Sequence, residues 1–198
     1  MNTPDHAHSQ LPDNAGDWLL PLARTAIAEE IGADPGLRGD VPTPIPDWLG
    51  SQGATFVTLS QNGQLRGCIG SLLAHRPLVD DLRDNAVASA IHDHRFPTLT
   101  APELTRTDIE VSVLSKPEPI RFSSRAELEG QLHPGVDGLI LTIELRRATF
   151  LPQVWEQLAD PALFLDQLVQ KAGVSPERVD WSSDRVTAER YTVTDWSE

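Results

Sequence analysis

The feature that most constrains this chain is a tight turn between two segments with strand-like sequences. The segments are residues 54–60 and 65–70, and Asn62 and Gly63 lie between them. Both turn residues tolerate a positive φ, which a two-residue hairpin turn requires at its central positions. The sequence therefore predicts an antiparallel hairpin over residues 54–70.

Other segments show the periodicity of helices or the alternation of strands. The predicted helices are residues 16–31, residues 77–92, a short segment after Ser124, and Pro161 to the residue before Gly173. Pro21 fits the first helix only if the helical turns begin there. The remaining predicted strands are residues 109–114, 138–144, 147–151 and 185–193. Hairpins without regular strand–helix alternation predict an α+β fold, with a mainly antiparallel sheet flanked by helices.

Length and charge exclude several classes of protein. The chain has 198 residues, which suits one large domain or two small lobes, and a formal net charge of −13. So acidic a balance argues against nucleic-acid binding, which needs clustered Lys and Arg. The N-terminus lacks the pattern of a signal peptide, and no apolar run is long enough to cross a membrane. A cytoplasmic protein with no membrane association is therefore predicted.

Cys68 is the only cysteine, so an internal disulfide is excluded. Regular alternation along a strand would place Arg66 on the same face, about 7 Å away, where its charge would favour the thiolate. Gly67 and Gly70 weaken a strand, which indicates a bulge or the close approach of a ligand or another backbone. The alternative is that Cys68 is a small packed hydrophobe, as free cysteines commonly are.

Three further polar residues are candidates for a site. Asp93 and Arg95 follow the predicted helix 77–92, from which Arg95 is able to reach into a cleft. Glu110 alternates with the apolar residues of its strand and so belongs to the solvent or cleft side. The alternative for each of the three is a surface ion pair that contributes about 0–1 kcal/mol.

Histidines offer a weaker prospect of a metal site. His92 and His94 are two residues apart, and His75 or His133 would have to complete a site. On a helix, residues two apart face different directions, so we predict no metal site. No glycine-rich phosphate loop or dinucleotide fingerprint is present, and no cofactor is predicted.

Six segments together resemble the AMMECR domain family. They are residues 65–71, 93–97, 109–115, 134–139, 148–154 and 168–173. The resemblance implies an α/β fold of two lobes, the larger with an antiparallel sheet, separated by a cleft. It implies a single such domain over residues 15–198, after a flexible tail of residues 1–14. His94 stands where the family has proline, so it is not expected to act as a ligand.

The resemblance also implies where the cleft lies and which proteins act with this one. Residues that match the family's segments are expected to line the cleft: Arg66, Gly67, Cys68, Gly70, Asp93, Arg95, Glu110, Thr149, Pro152 and Gln153. The last three belong to an abrupt strand-to-helix junction whose alternative explanation is a tight turn. Bacterial members of the family, in the AmmeMemoRadiSam system, are associated with a Memo-like protein and a radical S-adenosylmethionine protein.

Two functions remain open at this point. In the first, the Cys68 thiolate attacks a small molecule or a modified peptide, with Arg66 orienting an anionic group and Glu110 acting as general base or binding carboxylate. In the second, the protein is a non-catalytic binding or scaffold module for those partners, and Cys68 only packs.

Overall fold

The computed structural model describes residues 11–198. The described chain forms two compact units. The first runs to Ser115 and includes Thr194–Glu198, and the second is Lys116–Val193. Most of the predicted N-terminal tail lies outside the described residues, and the assignment of residues 15–198 to a single domain stays a prediction.

Helices and antiparallel strands follow one another in an irregular order. In chain order they are α1 (Gly16–Glu30), β1 (Gln52–Gln61), β2 (Gln64–Gly70), β3 (Arg76–Pro77), α2 (Leu78–Ile91), α3 (Ala101–Leu104), β4 (Asp108–Leu114), β5 (Glu118–Ile120), α4 (Arg125–Glu129), β6 (Gly138–Ile143), β7 (Arg146–Phe150), α5 (Pro161–Lys171), β8 (Val186–Tyr191) and β9 (Val193–Ser197). Single 3-10 turns lie at Pro35–Leu37, Asp47–Gly50, Pro152–Glu156 and Pro176–Arg178.

Each unit holds one sheet. In the first unit the strand order is β2-β1-β4-β9, with β3 also paired to β1, and in the second unit it is β5-β8-β6-β7. The pairs β1–β2, β1–β3 and β1–β4 are antiparallel, as are all three pairs of the second sheet. The predicted α+β class with antiparallel sheets is confirmed.

Turn and cap residues lie where local sequence rules place them. Asn62 and Gly63 have φ values of 52° and 72°, so the predicted hairpin turn is confirmed. Asp160 caps α5 by accepting from the N–H of Ala162 at 2.7 Å, and Gly173 ends the helical segment with a φ of 75°. These elements therefore follow from short-range sequence alone.

One expectation about a proline and one predicted strand need correction. The predicted helix over residues 16–31 is confirmed as α1, but Pro21 lies in its interior and not in its first turn. Gly16, at the start of α1, packs so closely on Trp196 that a Cβ would come within 2.7 Å of the ring. The single predicted strand over residues 185–193 is wrong at its end. The chain leaves β8 after Tyr191, and β9 joins the other sheet beside β4. The short helix α3 has no predicted counterpart.

In the first unit, α1 and α2 cover one face of the sheet. The core between them is built from apolar residues of both helices and from the inward side chains of β1 and β4, namely Val57, Leu59, Ile109, Val111 and Val113. Side chains at the intervening positions belong to the opposite face. Thr58 and Glu110 are two of these.

Helix α2 approaches β2 so closely that backbone meets backbone. A Cβ built on Gly67 would overlap the carbonyl oxygen of Ser89. The Ser89 hydroxyl enters between the two strands, where it donates to Val57 O at 2.7 Å and accepts from the N–H of Ile69 at 2.9 Å. The glycine-based expectation of a close backbone approach is confirmed at Gly67.

The second unit has its own core. Phe164 of α5 stacks on Trp155 with ring centroids 3.8 Å apart and an interplanar angle of 4°. The Trp155 Nε1–H donates to the carbonyl of Asp137 at 2.7 Å, which satisfies the polar atom of this buried ring. Leu139 and Leu141 of β6 complete the same core.

Replacing Gly67 tests the close approach. We expect Gly67→Ala to lower the free energy of unfolding by about 3 kcal/mol, because neither backbone segment can move without disturbing the sheet or helix. Urea unfolding measures the loss. Gly50→Ala is the control, since no atom lies within 4 Å of a Cβ at that position, and it should change stability by less than about 0.5 kcal/mol. Equal effects of the two substitutions would contradict the proposed contact.

Candidate functional site

Three polar side chains form a row across the sheet of the first unit. Thr58 of β1 lies opposite Cys68 of β2 on one side and opposite Glu110 of β4 on the other. The Thr58 hydroxyl donates to Cys68 Sγ at 3.4 Å, and Cys68 itself is half-buried. Glu110 is two strand spacings from Cys68, roughly 10 Å between backbones. Opposed residues share a face, so the row lies on the face away from α1 and α2.

A β-bulge decides that Cys68 belongs to this face. Gln61 pairs with Gln64, so a regular hairpin would place Cys68 opposite Val57, which points into the core. The register shifts between Leu59 and Ser60, and Cys68 is opposite Thr58 instead. One extra residue in β2 therefore moves the thiol from the helix-covered face to the other one.

Asp93 and Arg95 hold the backbone of Cys68 from the free edge of β2. The N–H of Cys68 donates to Asp93 Oδ2 at 2.9 Å, and its carbonyl accepts from Arg95 Nη2 at 3.1 Å. Both groups point away from β1, so Thr58 and Cys68 are a non-hydrogen-bonded pair, the kind whose side chains come closest. The clamp thus fixes the thiol beside the Thr58 hydroxyl.

The clamp is itself an ion pair. Arg95 donates to Asp93 from Nε at 2.9 Å and from Nη2 at 2.6 Å. These bonds, together with the N–H of Cys68, hold the pKa of Asp93 well below its usual range despite burial. The pKa of Arg95 is raised, first by its hydrogen bond to Asp93, with a smaller contribution from charge on Cys68. Asp93 is therefore ionised across the physiological range.

Arg66 occupies a different environment from the one that regular alternation predicts. It is the extra residue of the bulge, where alternation of side chains does not apply. Its guanidinium lies against Glu103 of α3, with Nε and Nη2 both 3.3 Å from Oε1, and only 12% of its side chain is exposed. The cation that contacts Cys68 is Arg95. A role for Arg66 at the thiol stays a prediction that these contacts do not support.

Glu110 differs electrostatically from an ordinary surface glutamate. Its side chain is exposed, yet desolvation by neighbouring atoms raises the pKa of the carboxyl, and the charge of Asp195 raises it further. A carboxyl whose ionised form is disfavoured is better suited to exchanging a proton near neutral pH. This is the feature that makes Glu110 a candidate general acid or base.

The other predicted site residues lie in the second unit. Thr149 Oγ1 is 3.0 Å from the hydroxyl of Tyr191, and the carbonyl of Thr149 accepts from Lys171 Nζ at 3.0 Å. Pro152 is buried and Gln153 is exposed. Burial raises the pKa of Tyr191. Nothing tests a binding role for these three predicted residues, and it stays a prediction.

Sequence reasoning missed a polar stripe on α2 and just beyond it. Asp81, Asn85, Ser89 and Asp93 recur every four residues and are all buried. Each bonds the β1–β2 hairpin or its flanks. Asn85 Nδ2, for example, donates to Thr55 O at 3.1 Å. The four-residue spacing of polar residues beside an apolar stripe was the available signal.

Residues 11–198 contain neither a metal-binding cluster nor a membrane-spanning helix. In that range, no three or more His, Cys, Asp or Glu side chains are grouped so as to hold a metal ion. His92 and His94 are both exposed. The same residues contain no helix of the length and apolarity needed to cross a bilayer.

Comparison with known proteins gives consistent matches along the chain. The AMMECR1 family profile matches residues 20–196. A Methanothermobacter thermautotrophicus protein is 38% identical over 171 residues, 86% of this chain and 88% of that one. A Saccharolobus islandicus protein is 36% identical over 188 residues, 92% and 81% of the two chains. An uncharacterized Pyrococcus horikoshii protein of known crystal structure has a TM-score of 0.75 and 32% identity, covering 95% and 93%.

Asp93→Asn tests the clamp through pH. A carboxyl whose folded-state pKa is lowered stabilises the fold above its unfolded pKa of about 3.9, and that contribution is lost as pH falls. We expect the variant to unfold at lower urea concentration at pH 7 and 5, with a deficit that shrinks at pH 3. Asp184→Asn, at an exposed position outside any helix, is the control and should change the urea midpoint little at each pH. A deficit of equal size at pH 7 and 3 would refute the interpretation.

Glu110→Gln should stabilise the folded protein at neutral pH, whereas Asp93→Asn destabilises it. Because the folded-state pKa of Glu110 is raised, its ionised form weakens the fold once pH rises above the carboxyl's pKa. The variant should be more stable at pH 7 by less than about 1 kcal/mol and no more stable at pH 4. Asp195→Asn should give a smaller gain at pH 7. Thermal unfolding at both pH values measures these differences, and a less stable Glu110→Gln variant at pH 7 would contradict the assignment.

Proposed function

The chain belongs to the AMMECR1 family, and on that premise we propose that it is an enzyme in which the Cys68 thiolate attacks a small molecule or a modified peptide. The observation that carries the proposal is the clamp on Cys68. Asp93 and Arg95 bond both backbone groups of this one residue, and its side chain lies on the face that the helices leave uncovered.

The row of three side chains supports a nucleophilic reaction. As Sγ bonds to an electrophilic carbon of the substrate, the bond from that carbon to its leaving group breaks. Thr58 donates to the sulfur at 3.4 Å and so orients it. Glu110, with its raised pKa, supplies a proton to the leaving group or removes one from the group that later displaces the enzyme.

The proposal includes a cellular setting. The enzyme acts in the cytoplasm, in a modification pathway shared with a Memo-like protein and a radical S-adenosylmethionine protein. What supports this setting is the resemblance of residues 65–71 and 93–97 to bacterial members of the family. Direct binding to either partner belongs to the same proposal, as does the absence of a nucleic-acid partner.

A second candidate is a non-catalytic binding or scaffold module. Two surface depressions favour it, because neither is lined by Cys68. One, of about 520 Å³, includes Ile31, Ile91 and Leu99, and the other, of about 490 Å³, includes Ile120 and Phe122. In this alternative the partners bind to such surfaces and Cys68 contributes only packing.

Alkylation of the single thiol tests the proposal. With one cysteine in the chain, iodoacetamide labelling followed by mass spectrometry reports Cys68 alone, and Cys68→Ser gives the unlabelled control. We expect native Cys68 to react at pH 7 at least as fast as in the urea-unfolded protein, because an activated, presented thiolate outweighs partial burial. A native rate 100-fold below the unfolded rate would mean a packed thiol and would favour the scaffold module.

Substitution in the native host separates the two functions. A strain with Cys68→Ser should show the same altered metabolite and peptide profile as a deletion strain if the thiol is catalytic. Recovery of the Memo-like protein with the variant should be unchanged. A wild-type profile in the substituted strain would reject the enzyme and retain the module.

A further inference from the structure

Arg95 keeps part of its hydrogen-bonding capacity unused. A guanidinium has five N–H donors. Three are engaged: Nε and one Nη2 N–H bond Asp93, and the other Nη2 N–H bonds the carbonyl of Cys68 at 3.1 Å. The two N–H groups of Nη1 have no partner among the described residues.

The exposed part of the ion pair is its cation. Of the Arg95 side chain 56% is exposed, whereas 6% of the Asp93 side chain is. Asp93 therefore lies on the protein side of the pair, and an anion approaching from water meets the guanidinium first. Three bonds fix the guanidinium plane, so little side-chain entropy is lost when a further group binds to Nη1.

We propose that Arg95 recognises an anionic group, a carboxylate or a phosphate, on the molecule that Cys68 attacks. The inference rests on the proposed thiol function. The two N–H groups of Nη1 diverge, so an anion accepts one of them, and a charge-assisted hydrogen bond of this kind is about twice as strong as a neutral one. The bond from Nη2 to the carbonyl of Cys68 keeps the cation beside the reacting residue.

The assignment distinguishes Arg95 from Arg66. Arg66 is the arginine nearest to Cys68 in the sequence, but Glu103 binds it, and its side chain is 12% exposed. Its Nη1 also lacks a hydrogen-bond partner among the described residues, but that nitrogen is buried, so a substrate anion cannot reach it from solvent. Arg95 differs because its side chain is 56% exposed and the donors on its Nη1 are free of protein partners in the described chain.

Two alkylating reagents that differ in charge provide the test. Iodoacetate and iodoacetamide react in the same way: Sγ bonds to the methylene carbon and iodide leaves. Only iodoacetate carries a carboxylate. The ratio of their rate constants at Cys68 reports whether a neighbouring cation attracts the anion, independently of how reactive the thiol is. The native ratio is compared with that of the urea-unfolded chain at equal ionic strength.

We expect the iodoacetate-to-iodoacetamide ratio to be higher in the native protein than in the unfolded chain. Arg95→Gln should lower it about fivefold, and salt should lower it in the wild type. Arg95→Lys keeps the charge and should restore part of the ratio. Arg83→Gln is the matched control, since Arg83 is also paired and 51% exposed, and it should leave the ratio unchanged. Thermal unfolding confirms that each variant is folded.

The outcomes separate this inference from the function on which it rests. If Cys68 reacts with iodoacetamide and Arg95→Gln leaves the ratio unchanged, the anion site is refuted and the thiol function stands. If Arg66→Gln lowers the iodoacetate-to-iodoacetamide ratio and Arg95→Gln does not, the anion binds to Arg66, and the inference is also refuted. If the native thiol reacts with neither reagent, the thiol function is rejected and the inference with it.

Discussion

The polar stripe of α2 is the constraint on which the first unit depends. Asp81, fully buried, accepts from the N–H and hydroxyl of Thr55 at 2.8 Å each and from the Ser71 hydroxyl at 2.7 Å. A buried carboxylate is tolerated only when its oxygens are bonded in this way, so the helix cannot rotate or slide without leaving charge unsatisfied. Asn85, Ser89 and Asp93 repeat the attachment along the hairpin.

The same attachment produces the candidate site. Ser89 brings α2 against Gly67, and Asp93, one turn further, reaches the free edge of β2 at Cys68. An edge strand usually exposes backbone groups to other chains, and here the Asp93–Arg95 pair covers the two that belong to Cys68. One pair of side chains therefore protects the edge and positions the thiol. Nη1 of Arg95 is then left without a partner among residues 11–198, on a side chain that is 56% exposed.

Local sequence rules predicted much of the fold because caps and turns act over a few residues. The hairpin turn at Asn62-Gly63, the capped helix α5 and the α+β class with antiparallel sheets are all confirmed. The rules failed where distant packing decides. The chain after Tyr191 leaves β8 and joins the other sheet as β9 beside β4, a pairing that no local pattern encodes.

For the site, the sequence alone determined that one thiol exists, that glycines flank it, and that Asp93, Arg95 and Glu110 are candidates near it. Only the tertiary structure decided which of them meet. A bulge changes the partner of Cys68 from Val57 to Thr58, and it separates Arg66 from the thiol's environment. The reason is physical: strand faces alternate every residue, so a single inserted residue reverses the face of every residue beyond it. The position of the inserted residue depends on the contact between Gly67 and Ser89 of α2, which are 22 positions apart in the sequence.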